Sequence, residues 1–470
     1  MTTKLSKDGY KIIKKNYSSK EIKEIKEELT AKPFTYNKSQ MNDTNRFIVY
    51  LESPKKLYLP RFYGLKKFGE PTENQMEEGD DINITFKGDL RDEQKPIEEI
   101  YLKNAHEKGG GIISIRCGGG KTVLALHIAS VLKKKTVVIV HKDFLMTQWR
   151  DRILEFLPDA RIGKIQQNTV DIEDKDIVLA MVQSLSMKEY EDGTFDSFGL
   201  AIFDECHHLG AEVFSKSMRK VASKYMLGLS ATPKRKDGLS KVFEWFMGDI
   251  VYLQTEKNKD YAEVQLVECN FNDPKYNKEE VNFRREPCMP KMINNICEYY
   301  PRTKMIVDVA KKYQEEKRSI LILSDRRDHL NLLAVMLNDF CTTGFYVGGM
   351  KPDELRESQE KDILLATFSM ASEGMDVPKL NTVILASPKS DVEQSVGRVF
   401  RQKACDREFH PLIIDIQDVF SMFQKQCEKR ITFYHKSNFT IFKNGEELPK
   451  RRRRKKKEEK KIVDFALIDD

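Results

Sequence analysis

Gly111–Leu132, GIISIRCGGGKTVLALHIASVL, reads as a strand, a glycine loop and a helix in immediate succession. Glycines let a backbone bend closely around phosphates, whose charge is met by loop N–H groups and by the start of the following helix. In that frame Gly118, Gly119 and Gly120 form the cradle, Lys121 reaches the β- and γ-phosphates, and Thr122 holds Mg²⁺. The full GxxxxGKT template is broken at its first glycine, where Ile115 stands. A GKT alone is only moderately specific, so the strand before it and the helix after it carry the reading of a nucleoside-triphosphate loop.

Outward from this loop the same grammar repeats. KTVVIVH, DIVLAMV, GLAIFDE and YMLGLSAT are short unbroken apolar runs, each followed by a helical pattern. Such runs are the mark of parallel strands buried on both faces, and their alternation with helices predicts right-handed βαβ units. After a less regular stretch the pattern restarts with RSILILSD, GFYVGG, KDILLATF, NTVILASP and HPLIIDI. The expected fold class is α/β, with two tandem doubly wound parallel-sheet lobes. The expected boundaries are an accessory N-terminal domain over 1–87, a first lobe over 88–254, a linker over 255–299, a second lobe over 300–445 and a basic disordered tail over 446–470.

Length and composition agree with this division. At 470 residues the chain exceeds one ordinary core, and 40% hydrophobic with 33% charged residues describes a soluble globular protein. No run of eighteen apolar residues exists, and the N-terminus has no apolar stretch for secretion, so an intracellular protein without a membrane span is expected. Eight cysteines without CxxC pairs suit free thiols and speak against a zinc module. The net charge of +7 is concentrated: Lys450–Lys461, KRRRRKKKEEKK, has ten basic and two acidic residues, which leaves the remainder near −1. Such a run cannot bury itself, and its expected uses are phosphate contact, nuclear import or plain solvation of the end.

Further candidates lie at the ends of the apolar runs. GLAIFDECHH ends in Asp204-Glu205, where open parallel sheets gather ligands. Asp204 is placed to take Mg²⁺ through water, and Glu205 to orient or deprotonate an attacking water. His207-His208 has no third ligand at suitable spacing. In QSVGRVFR, Gln394, Arg398 and Arg401 are spaced four and three apart and would share a helical face. Arginine gives a planar cation to charge developing on a transferred phosphoryl group, so a second lobe completing the site is expected. Thr367 follows the run DILLAT and is placed to touch a nucleic-acid phosphate, while Glu373, Gly374 and Asp376 form a turn. Arg326 and Arg327 suit either phosphate contact or solvent, and Trp149 and Phe144 suit a core or lobe-surface role better than base stacking.

In order along the chain these segments resemble the motifs of superfamily 2 helicases. LRDEQ is similar to the entry motif, CGGGKT to motif I, VIVHKDFLMTQW to motif Ia, DECH to motif II and Ser230-Ala231-Thr232 to motif III. LILSDRRDHL resembles motif IV, ATFSMASEGMDVP motif V and QSVGRVFR motif VI. The resemblance implies RecA-like lobes and an ATP hydrolase with Mg²⁺. By the same resemblance Gln94 contacts adenine, Gly374, Asp376 and Gln394 adjoin the nucleotide, and His207, Ser230 and Thr232 couple ATP to nucleic acid. Thr367 and Arg326 would contact the nucleic acid itself.

LRDEQ, LSATPKRKDG and QxxGRxxR are similar to the XPB-type branch and depart from the HRxGRxxR of DEAD-box RNA helicases. The organisation also resembles the transcript-release DNA helicases of large cytoplasmic DNA viruses. The implied activity is ATP-dependent unwinding or translocation on nucleic acid, with DNA favoured over RNA, in transcription, repair or replication. The alternatives are a duplex translocase that does not separate strands and the motor subunit of a restriction-type complex. A monomer working with transcription or replication machinery is expected, in the nucleus or at cytoplasmic viral replication sites.

Overall fold

The unbroken apolar runs become central strands because helices cover both faces of each sheet. In the computed structural model the described residues are 3–32, 46–116, 118–205, 211–231, 238–254, 261–402 and 406–449. Residues 1–256 with 372–376 form one compact unit, and 257–371 with 377–470 form the other. Among the described residues no helix is long and apolar enough to cross a membrane.

The first unit carries an eight-stranded sheet in the order Thr169–Asp171, Ile162–Gln166, Ile177–Met181, Thr136–Val140, Leu200–Phe203, Tyr225–Ser230, Gly110–Ser114, Ile250–Leu253. Only the outermost pair, Ile162–Gln166 with Thr169–Asp171, is antiparallel. Gly110–Ser114, Thr136–Val140, Leu200–Phe203 and Tyr225–Ser230 are buried at every position. Successive residues serve opposite faces: Ile112, Val137 and Ala201 join one core, and Ile113, Val138 and Ile202 join the other. The helix Lys121–Leu132 packs its apolar residues into the second of these cores.

The accessory segment forms a five-stranded sheet in the order Leu51–Glu52, Lys56–Leu59, Gly9–Ile13, Lys4–Ser6, Glu73–Asn74. The charged stretch beginning at Ser19 is a helix, Ser19–Glu28, opened by a capping box in which Ser18 and Glu21 satisfy each other's backbone N–H. Leu5, Tyr10, Ile12 and Leu57 belong to the same core as Ile112 and Val137, so the accessory sheet shares a core with the first lobe. Arg61 pins it there. Its guanidinium donates to the carbonyls of Lys224 (2.7 Å), Ser223 (3.3 Å) and Lys108 (3.2 Å), just ahead of the strands Tyr225–Ser230 and Gly110–Ser114. Burial lowers the Arg61 pKa to about 10, against the weaker opposing pull of Glu70.

The second unit has its own eight-stranded sheet: Thr343–Tyr346, Ile363–Ala366, Ile320–Leu323, Thr382–Leu385, Leu412–Asp418, Glu263–Cys269, Thr440–Lys443, Glu446–Glu447. It is parallel throughout except for its last pair. The stretch read as a linker over 255–299 differs from that expectation in two places. Glu263–Cys269 is a full sheet strand paired with both Leu412–Asp418 and Thr440–Lys443, and Met289–Glu298 is a helix. Val264, Leu266 and Cys269 are buried while Gln265, Val267 and Glu268 are not, so the strand lacks the continuous apolar run of its neighbours.

Two buried ion pairs brace this unit. Arg302 donates from Nε and Nη2 to the two carboxylate oxygens of Asp418 (2.7 and 2.9 Å) and from Nη1 to the Ala386 carbonyl (2.8 Å). Tyr276 adds an O–H to the same carboxylate at 2.6 Å. Arg430 donates from Nε to Asp415 (2.9 Å) and from Nη1 to the Lys389 carbonyl (2.7 Å). Ala386 and Lys389 lie on the segment between the strand Thr382–Leu385 and QSVGRVFR.

Candidate nucleotide-binding site

The glycine loop is shaped by what its neighbours leave no room for. Gly120 has φ +74 and begins the helix Lys121–Leu132 from a left-handed backbone that suits glycine. A Cβ on Gly119 would stand 2.3 Å from Cγ2 of Ile115. Ile115, the residue that breaks the sequence template, is buried, and its N–H donates to the Ser230 carbonyl at 3.1 Å. The bulk that the template excludes at 115 is therefore accommodated by the missing side chain at 119.

Gln94 lies beneath this loop, 2% exposed. Its Nε2 donates to the carbonyls of Gly119 (3.2 Å) and Gly120 (3.1 Å), and its Oε1 accepts from the Arg91 N–H (3.1 Å). The resemblance implies that Gln94 contacts adenine. Within the protein its amide ties the start of the first lobe to the phosphate loop.

Lys121, first in its helix, sets its Nζ 2.6 Å from Oε1 of Glu205. Both side chains are mostly shielded from solvent. Glu205 itself has φ +47, a left-handed backbone that costs a non-glycine residue about 1–2 kcal/mol and that concentrates at functional sites. The neighbouring Asp204 is buried, and its Oδ2 accepts the indole N–H of Trp149 at 2.8 Å. Burial, and then the adjoining Glu205 carboxylate, raise the Asp204 pKa to about 6, against the opposing pull of Lys121. Among the described residues the Asp204 and Glu205 carboxylates stand beside the Lys121 ammonium, and Asp204 with the half-buried Thr122 offers oxygen ligands suited to a divalent cation.

Trp149, which the sequence suits to a core or lobe surface, is 1% exposed and in the core, yet its N–H also orients Asp204. The spacing from Trp149 to Asp204 contains no local signal for that bond. It forms because the helix Asp143–Phe156 packs on the strand Thr136–Val140, which lies beside Leu200–Phe203.

Ser230 is buried at the end of its strand, beside Ser114 in the next. His207 and Thr232 lie outside the described residues, as does Cys117.

On the second sheet Thr367 directly follows the strand Ile363–Ala366, half-buried, and its carbonyl accepts from the Ala371 N–H (3.0 Å) in the helix Phe368–Gly374. Gly374 ends that helix and Asp376 lies in the loop beyond it. Gln394 and Arg398 do not stand on one regular α-helix. Glu393–Val396 is a single α turn that tightens into a 3₁₀ turn over Gly397–Phe400, with Arg401 at its end. In 3₁₀ geometry residues three apart eclipse, which aligns Arg398 with Arg401 more closely than an α-helix does. Arg398 is buried, where an exposed arginine face would have been solvated.

Arg326, expected at a nucleic-acid phosphate, has donors engaged inside its own unit. It donates to the Asn294 side chain, to the Pro290 carbonyl (3.0 Å) and to the Asp325 carbonyl (3.1 Å), joining the helices Met289–Glu298 and Arg327–Leu337. Its pairing was not legible because Pro290 and Asn294 are distant in sequence.

Residues 87–235 match the family model described as type III restriction enzyme, res subunit, and residues 302–403 match the helicase conserved C-terminal domain. The chain is 36% identical to "Putative ATP-dependent RNA helicase L396" of Acanthamoeba polyphaga mimivirus, over 94% of this chain and 86% of that one. It is 37% identical to the DNA 3'-5' translocase XPB2 of Sulfurisphaera tokodaii over 41% of this chain and 42% of that one. Among solved structures, T4 UvsW is similar at 17% identity, covering 94% of this chain and 99% of that chain, with a TM-score of 0.40.

Proposed function

The chain belongs to the superfamily 2 helicases, ATP-using motors of nucleic acid, and from that footing we propose that it is a DNA helicase or translocase. The observation that carries the reading is the arrangement of Gln94, Lys121, Asp204 and Glu205 around one glycine loop. Lys121 exchanges its Glu205 partner for the β- and γ-phosphates when ATP enters. That exchange releases Glu205 to orient and deprotonate water, so hydrolysis is linked to occupancy of the loop. Thr122 and Asp204 hold Mg²⁺, which neutralises phosphate charge. Arg398 and Arg401 give positive charge to the transferred phosphoryl group. Gly374, Asp376 and Gln394 adjoin the nucleotide, and Ser230, Thr232 and His207 relay its state to nucleic acid held through Thr367.

DNA is favoured by the XPB-type motifs and by the similarity to the DNA translocase of Sulfurisphaera tokodaii. RNA is the second reading, favoured by the printed name of the viral relative. That relative's viral source also favours cytoplasmic viral replication sites as the place of action.

ATPase stimulation across single-stranded DNA, duplex DNA, forked DNA and RNA tests the reading. The expected result is strongest stimulation by DNA, abolished by Lys121→Ala. Arg398→Ala and Arg401→Ala should retain ATP binding and lose the stimulated turnover. Stimulation by RNA alone would transfer the reading to RNA.

A further inference from the structure

Most exposed apolar residues of this protein lie singly on helices and strands, but one stands at the tip of a tied loop. Phe283 is 90% exposed, in the loop between the strand Glu263–Cys269 and the helix Met289–Glu298. The loop closes through an antiparallel bridge between Val281 and Pro287. Asn282 holds the tip from within: its side-chain oxygen accepts from the N–H groups of Arg284 (2.8 Å) and Glu286 (3.0 Å), and its amide donates to the Glu286 carboxylate (3.2 Å). The backbone is thus ordered before any ligand arrives, which lowers the entropy cost of binding.

The chemistry beside the ring is cationic. Arg284 and Arg285 follow Phe283, all three are exposed, and the Arg284 guanidinium lies 5.2 Å from the centre of the Phe283 ring. An exposed aromatic ring with one guanidinium over it and a second exposed arginine next in sequence is complementary to an unpaired base and its phosphates, because every base has a stacking face and every linkage a negative charge. A hydrophobic protein surface would match the ring but would leave both guanidinium groups to be desolvated.

We propose that the Phe283–Arg284–Arg285 tip is a nucleic-acid contact of the second unit, stacking on a base of a single strand while its arginines meet the backbone. The inference rests on the nucleic-acid motor reading above and adds to it a site in none of the helicase motifs. The tip makes no use of base identity, so it suits sequence-independent tracking.

The test uses the full chain and a fluorescently labelled thymidine 20-mer, read by anisotropy, together with ATPase activity with and without that oligonucleotide. Phe283→Ala should weaken binding about 5- to 150-fold, the range for removing one base-stacking side chain, with basal ATPase and melting temperature unchanged. Replacing both arginines with glutamate should weaken binding further and lower the salt slope by about 1.4, the single-strand value for two phosphates no longer neutralised. Phe283→Trp should retain affinity, and its added indole fluorescence should be quenched by the oligonucleotide. Unchanged affinity in Phe283→Ala, with a stimulated wild type, would overturn the tip assignment alone. A wild type that no nucleic acid binds or stimulates would overturn the motor reading and this one with it.

Discussion

At the scale of single residues the site is governed by one buried acid. Asp204 is buried next to a second carboxylate, and its folded pKa of about 6 exceeds the usual aspartate value of 3.8. A carboxyl whose pKa is raised by folding contributes stability that is fully present below the unfolded value, and that stability is lost as pH rises through about 6. Asp204→Asn, which can still accept the Trp149 N–H, should therefore abolish hydrolysis and yet stabilise the nucleotide-free protein. The expected gain is on the order of 3 kcal/mol at pH 8, shrinking toward nothing by pH 4. Differential scanning fluorimetry across pH checks it, and an equal loss of stability at both ends would refute it. Ile115 and Gly119 show how far a local template reaches: the mismatch at 115 is legible in the sequence, but its compensation at 119 is not, because it depends on the turn bringing the Ile115 side chain to where a Cβ on residue 119 would stand.

At the scale of elements, the approach to QSVGRVFR is set by arginines far from it in sequence. Arg302 grips the Ala386 carbonyl and Arg430 the Lys389 carbonyl, each anchored to an aspartate of the strand Leu412–Asp418. Removing one partner of a buried pair strands the other charge, at a cost of about 3–5 kcal/mol. Arg430→Met should therefore lower the melting temperature of the second unit, and should depress stimulated ATPase more than ATP binding, because Lys389 precedes Arg398 and Arg401. Calorimetry together with nucleotide titration checks this, and a loss of stability with normal turnover would confine Arg430 to support of the fold. The helices and strands around these residues were readable from periodicity. Their pairing was not, since a buried Arg–Asp pair leaves the same letters in the sequence as a solvated one.

At the scale of the whole molecule, charge is divided between a nearly neutral body and the basic run Lys450–Lys461, which lies outside the described residues. If that run meets phosphates, a chain ending at residue 449 should bind duplex DNA with a salt slope lower by about 0.9 for each phosphate it no longer neutralises. An unchanged slope would assign the run to another task. By itself the sequence determined the α/β class, the two sheets, the order of motifs and the family, because parallel strands and phosphate loops are encoded by contiguous residues. Only the tertiary structure decided that Glu263–Cys269 belongs to the second sheet, that Trp149 orients Asp204, that Arg326 holds two helices, and that Phe283 faces solvent beside arginines. Each of these depends on which distant segments share a face or an edge, and the free energy that chooses among such pairings is spread over cores that no short stretch of chain contains.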